Sequence, residues 1–444
     1  MSDKSIDPTP ITHRRVLTLV TPIILMGLST PLLGIVDTAV IGQLGDTSLI
    51  GAVAVGALIF TFLFWAFGFL RMGTTGLTAQ AYGANNASEI RAALSRALLI
   101  AGVAGVGLLV LQLPLKWIAF ELVQGSSLVE QEAQTYFGIR MWSAPFTLAN
   151  YAVLGWLVGM QQTRLALVLQ IFLNGVNASL DALFVLSFNW GVAGIAAGTL
   201  IAEIATVFVG IGIALTLLRT YDGRWNWKVI SAWEKISATL SVNRDIMIRT
   251  LVLLLAFSFF TMEGARQGDT VLAVNAVLMQ FVSFSAFFLD GFAFGAEALV
   301  GAALGARHQE QFSRAVRLTS LWAVILSILL STVFLALGGF WIDFLTTSPE
   351  VRESARLYLP WAALMPVISV ACFQLDGIFI GATRAREMRN ASFVSTGAFF
   401  FFWYVLLPFG NHGLWAALAL FNVTRAFALG RYYPRLIAGL TVRG

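Results

Sequence analysis

Apolar residues along this chain fall in long blocks rather than in the alternation of a half-buried strand or the narrow stripe of a surface helix. Blocks of roughly 20 residues or more, enough to cross a hydrocarbon core, lie at 15–42, 48–73, 95–120, 135–160, 165–188, 191–218, 246–267, 271–303, 315–343, 354–381, 390–409 and 412–432. They predict an all-α polytopic membrane protein with twelve transmembrane helices. Composition agrees: 58% of the 444 residues are hydrophobic and 11% charged, against about 25% charged in soluble domains. The polar start Met1–Arg15 runs into an apolar block too long for a signal peptide, so the first helix is expected to remain as a span.

Charge enters next because a net +5 would suit nucleic acid. The basic residues instead sort by topology. If both termini share one side, 21 of the 28 Lys and Arg fall there, among them Lys4, Arg14, Arg91, Arg96, Arg249 and Arg443. Lys116, Arg140, Arg266, Arg352 and Arg356 fall on the other side, while Arg71 and Arg425 lie within spans. The positive-inside rule then predicts cytoplasmic termini in the inner (plasma) membrane and no nucleic-acid partner. The single Cys372 allows no internal disulfide.

An internal repeat organises the blocks. TAQAYGANNASEIRAALSRA after the second span pairs with EALVGAALGARHQEQFSRAVRL after the eighth, with Gly83 on Gly305, an offset of 222. Tyr136 then falls on Tyr358, Gly155 on Gly377 and Gly159 on Gly381. Two homologous six-helix lobes are expected, 1–220 and 246–444, joined by a linker at 221–245. An even number of spans makes the repeat parallel. Trp225, Trp227 and Trp233 among basic residues suit a strand or helix lying at the cytoplasmic interface. Close helix packing accounts for most of the 40 glycines.

Against this background a few polar residues stand out. Asp37 lies in a long apolar helix candidate, where a charge near the bilayer centre costs from about 3 to more than 10 kcal/mol. With Thr30 and Gly34 it forms a small polar stripe, and Pro22 and Pro31 can bend that helix. The stripe reads either as a cavity wall or as a helix end near the headgroups. Asn174, Asn177 and Asp181 share one face of the fifth span, Thr199 and Glu203 one face of the sixth, and Asn150 lies in the fourth. Amides can equally tie helices together, at about 0.6 kcal/mol per bond. The second lobe carries Asp290, Glu297 and Asp376, which the offset places on Gly68, Thr75 and Leu154. Each lobe therefore folds without the other's acids, which favours function over scaffolding.

His13, His308 and His412 show no metal-ligand spacing, and no Walker loop is present. No enzyme, metal site or cofactor is expected, and transport driven by an ion gradient remains. The segments PLLGIVDTAVIGQLG (31–45), FLRMGTTGLTAQAYGA (69–84), NASLDALFV (177–185), LDGFAFGAEA (289–298) and LDGIFIGATRAREMRN (375–390) resemble the multidrug and toxic compound extrusion (MATE) transporters, in their DinF-type branch. That resemblance implies a monomeric antiporter exporting bulky cationic or amphipathic organic compounds in exchange for H+, with Na+ coupling or lipid-linked precursor flipping as alternatives. It further implies that Asp37, Asp181, Asn177 and Thr199 form the coupling network and that Pro22 bends the first helix. Asn174, Asn150, Glu203, Asp290, Glu297 and Asp376 are then expected along the substrate path or in the second lobe.

Overall fold

A computed structural model describes residues 10–122 and 126–441, in which all regular structure is helical. Lys4 and Arg443 lie outside the described residues, as does the side chain of Thr30. The helices of the first half are α1 (His13–Gly42), α2 (Thr47–Trp65), α3 (Phe69–Gly83), α4 (Ala87–Val110), α5 (Gln112–Leu122), α6 (Ser127–Arg140), α7 (Ala144–Gly159), α8 (Thr163–Ala182) and α9 (Gly191–Leu218). A short α10 (Trp227–Ile230) precedes α11 (Trp233–Arg266), α12 (Asp269–Gly305), α13 (Gln309–Leu345), α14 (Pro349–Gly381), α15 (Ala385–Val405), α16 (Gly410–Gly430) and α17 (Tyr433–Thr441).

Ten helical segments among the described residues are long and apolar enough to cross a membrane. The two further expected spans are helical as well, but each departs from a clean apolar rod. Residues 135–160 are α6 and α7 joined through a 3-10 turn at Met141–Ser143. Residues 390–409 fall mostly in α15, whose opening turns carry Arg386, Glu387 and Arg389. The apolar block 48–73 is extended by α3 to Gly83, and α4 begins at Ala87, ahead of the block at 95–120. Apolarity marks the hydrocarbon core, whereas the helix runs on while its polar ends find caps.

Those caps repeat. Thr47 and Asp269, Ala87 and Gln309, Ser127 and Pro349, and Thr163 and Ala385 open corresponding helices 222 residues apart. Asn86 accepts from the Glu89 N–H, and His308, 222 residues later, accepts from the Gln311 N–H. The residues just before, Asn85 and Arg307, both take positive φ, as do Gln161 and Thr383 at the ends of α7 and α14.

Contacts divide the chain into two compact units, one of residues 25–82 and 86–238, the other of residues 10–24, 83–85 and 239–441. The same close crossing recurs inside each. In the first, a Cβ on Gly155 would stand 2.3 Å from the Arg71 carbonyl oxygen and one on Gly159 2.7 Å from that of Thr75. In the second, Gly377 would meet the Ala293 carbonyl at 2.2 Å and Gly381 that of Glu297 at 2.5 Å. Glycine alone lets α7 lie on α3 and α14 on α12. The opening of α1 belongs to the second unit, where Gly291 and Gly295 of α12 make room for Ile24 and Val20. Its entry is tied by the Ile11 N–H, which donates to Gln311 Oε1, and by Arg314, which donates to the Ile11 carbonyl.

Between α9 and α11 no strand forms. Arg91 donates to the carbonyls of Leu218 and Tyr221, at 2.7 and 2.8 Å, and so closes the end of α9. Arg96 pairs with Glu89 and donates to the Val229 carbonyl. Trp225, Trp227 and Trp233 stay exposed. Arg91 and Arg96, two bases counted with the cytoplasmic loops, are thus buried fasteners of the segment that follows α9.

Gly155→Ala and Gly377→Ala should each cost about 1–3 kcal/mol by overpacking, and by similar amounts, because the contact repeats. Gly102→Ala, with nothing within 4 Å of its added carbon, should be neutral or slightly stabilising. Melting temperatures of the purified variants in detergent check both statements.

Candidate functional site

Inside the first unit, α1, α6, α7, α8 and α9 bring their polar residues together. Asp37 is 6% exposed, Asp181 and Asn177 are fully buried, and Thr199 is 3% exposed. Asn177 and Asp181 stand one turn apart on α8. The Asn177 amide donates to Thr199 Oγ1 at 3.0 Å, and Thr199 in turn donates to the Ile195 carbonyl at 2.9 Å. Gly198 is what lets α9 close on α8 here, since a Cβ at that position would stand 2.1 Å from Asp181 Oδ1. Directly after Asp181 the helix widens into a π-helical turn at Leu183–Ser187, a local form that recurs at functional sites.

The Asp37 and Asp181 carboxyl groups face each other within hydrogen-bonding reach. Asp37 Oδ1 and both Asp181 oxygens meet no protein donor. A bond between two carboxyl groups needs a proton on one of them. Two bare carboxylates this close and this dry would repel strongly.

A cation that the sequence reading had counted with the non-cytoplasmic side acts on them. Arg140, at the end of α6, is 8% exposed and acts electrostatically on both Asp37 and Asp181. It donates to Ser143 Oγ, stands 3.6 Å from Glu203 Oε1, and lies over the rings of Phe60 and Phe64 at 5.7 and 5.5 Å. Asn150 donates to the Glu203 carbonyl at 3.1 Å and to its carboxylate. Glu203 and Asn150 therefore sit with Arg140, while Asn174 lies apart, half-buried, donating to the Ser29 carbonyl of α1. Pro22 sits in the part of α1 that belongs to the other unit.

The second unit holds a different cluster. Arg249 of α11 and Arg425 of α16 both donate to Asp376 Oδ2 of α14, and all three side chains are buried. Glu297 is fully buried and Asp290 half-buried on α12, and both act on Arg249. The charge of Asp376 is answered within its own lobe, by one arginine that the sequence reading had left inside a span and another it had counted with the cytoplasmic side. Both could have been flagged as bases within reach of an intramembrane acid, but side-chain partners between distant helices leave no mark on spacing. Among the described residues, no group of three or more His, Cys, Asp or Glu could hold a metal ion.

The MatE family model matches the chain twice, over residues 22–183 and 246–405, one match for each repeat. The chain is 41% identical over 415 residues to DNA damage-inducible protein F of Escherichia coli (strain K12), covering 93% of this chain and 90% of that protein. It is 22% identical to the probable multidrug resistance protein NorM of Rhizobium meliloti (strain 1021), covering 90% and 88% of the two chains. A solved structure described as MATE in the bent conformation superposes with a TM-score of 0.88 at 17% identity, over 97% of this chain and 96% of the other. At that identity the likeness shows the fold.

Removing Asp376 would strand two buried guanidinium groups, and breaking such a pair costs about 3–5 kcal/mol. Asp376→Ala should therefore lower the melting temperature in detergent far more than Asp37→Asn, which removes no partner of a buried base bonded to it. Parallel melts of the two variants decide this.

Proposed function

From the premise that the chain belongs to the MatE family and is a membrane transporter rather than an enzyme, we propose that it exports bulky, amphipathic or cationic organic compounds in exchange for H+. It does so by alternating access, as a monomer in the inner membrane with both termini in the cytoplasm. The observation that carries the ion is the buried Asp37–Asp181 pair. A proton shared by two facing carboxyl groups keeps the site neutral and dry. Its loss leaves a charge that prefers water, so the two protonation states favour different conformations. A proton shifts such an equilibrium only through its differential affinity for them.

Asn177, one turn from Asp181 on α8, is itself fixed by its hydrogen bond to Thr199. Asp37 lies on the stretch of α1 within the first unit, and Pro22, without an N–H to give the preceding turn, is the place where α1 would bend as the pair changes state. Sodium is the second reading, because Asn177 Oδ1 and both Asp181 oxygens meet no donor and are ligands of the type a cation takes. Lipid-linked precursors are less well served, since the arginines suited to a pyrophosphate, Arg249 and Arg425, already share Asp376. In the second lobe Asp290 and Glu297 line the substrate path.

Efflux of ethidium from proteoliposomes should follow an imposed pH gradient and be indifferent to an imposed Na+ gradient. The reverse result would transfer the site to sodium. Asp37→Asn, a fixed mimic of the neutral acid, should fold and still bind ethidium but abolish gradient-driven export. The dependence of ethidium affinity on pH in the parent, between mildly acidic and neutral, should flatten in that variant. A mutant exporting at the parental rate would remove Asp37 from the mechanism.

A further inference from the structure

Arg140 has five N–H donors, and its ion pair with Glu203 is a long one. Ser143 takes one bond and Tyr136 shares another. Glu203 Oε1 stands 3.6 Å away, beyond a good hydrogen bond, and the other Glu203 oxygen is already taken by Asn150. The faces of Phe60 and Phe64 confine the guanidinium from the side without fixing which acid it addresses. Around it stand Asp37 of α1, Tyr136 of α6, Tyr151 of α7, Asp181 of α8 and Glu203 of α9. Arg71 of α3 acts on Tyr151, and α2 brings no titratable side chain.

When the carboxyl pair loses its proton, a second negative charge appears in a site of low polarisability, where opposite charges attract steeply. A cation already in range of both acids, with a loosely held partner of its own, lowers the cost of that charge by turning toward it.

Resting on the proton-antiport reading above, we propose that Arg140 is a positioning residue for coupling, the counter-ion that turns from Glu203 toward the Asp37–Asp181 pair as the pair deprotonates. The competition between Glu203 and the pair for this one guanidinium sets the pH at which the transporter releases its proton. Glu203 thereby acts through Arg140, and Asn150 keeps it in position to compete. Arg140 itself carries no transferred proton: the proton leaves the carboxyl pair for water, and Arg140 remains a cation throughout.

The sign of each substitution follows. Arg140→Met removes a cation from beside the acids, so release needs a higher pH. Glu203→Gln removes the competitor and frees Arg140 for the pair, so release comes at a lower pH. Arg140→Lys keeps the charge and should stay near the parent. The test is ethidium affinity of the purified proteins in detergent from pH 5.5 to 9, read as the midpoint of its pH dependence. The midpoint should rise by about one pH unit in Arg140→Met and fall in Glu203→Gln by a similar amount. A purely structural Arg140 would lower the melting temperature without moving the midpoints in opposite directions. Coincident midpoints, or shifts of the same sign, overturn the proposal. If Arg140→Met does not fold, Glu203→Gln alone still decides by the sign of its shift. Asp37→Asn separates the two levels. If it retains the parental pH dependence, the proton reading itself fails. If it flattens that dependence while the Arg140 and Glu203 variants keep the parental midpoint, only the role of Arg140 fails.

Discussion

Taking a carboxylate or guanidinium out of water costs several kcal/mol even after the surroundings relax, and this chain buries both kinds in each unit. Every buried charge must then be answered by a partner that the fold brings close, and the helices are placed accordingly. Asp376 draws Arg249 and Arg425 from α11 and α16 onto α14. Arg91 answers the carbonyls at the end of α9. Arg140 pairs with Glu203 and acts on Asp37.

The two units share a frame and differ in this charge chemistry. Their common frame is a glycine crossing, Gly155 and Gly159 on α3 in one and Gly377 and Gly381 on α12 in the other. Onto that crossing the second unit places Glu297 where the first has Thr75, and adds a carboxylate held by two arginines. The first unit instead keeps two carboxyl groups that answer each other only if they share a proton. A stable scaffold saturates its acids with bases, as at Asp376. Asp37 Oδ1 and both Asp181 oxygens, by contrast, meet no donor among the described residues.

This difference bears on how the transporter works. A cluster whose charges cancel resists rearrangement, since moving any member exposes the others.

Much of this was legible in the chain alone. The block pattern, the 222-residue repeat and the GxxxG spacing are local or periodic properties, and so the all-helical class, the doubled architecture and the close-packing role of Gly155, Gly159, Gly377 and Gly381 could be read directly. Asp37, Asn177, Asp181 and Thr199 were visible because polar residues in an apolar run need a reason. What spacing could not reveal was pairing between helices distant in sequence. Arg140 was counted only as a base of the non-cytoplasmic side, because it closes a helix whose apolar run starts late and is interrupted at Met141–Ser143. Arg249 read as one of the cytoplasmic-side bases because charged residues continue into α11. Asp376 read as an acid of the substrate path or second lobe, with no sign in its spacing of the two arginines that α11 and α16 bring to it. Hydropathy records where a residue sits along its own helix, and only the tertiary structure decides which charge stands opposite, because that depends on how the helices are rotated and packed.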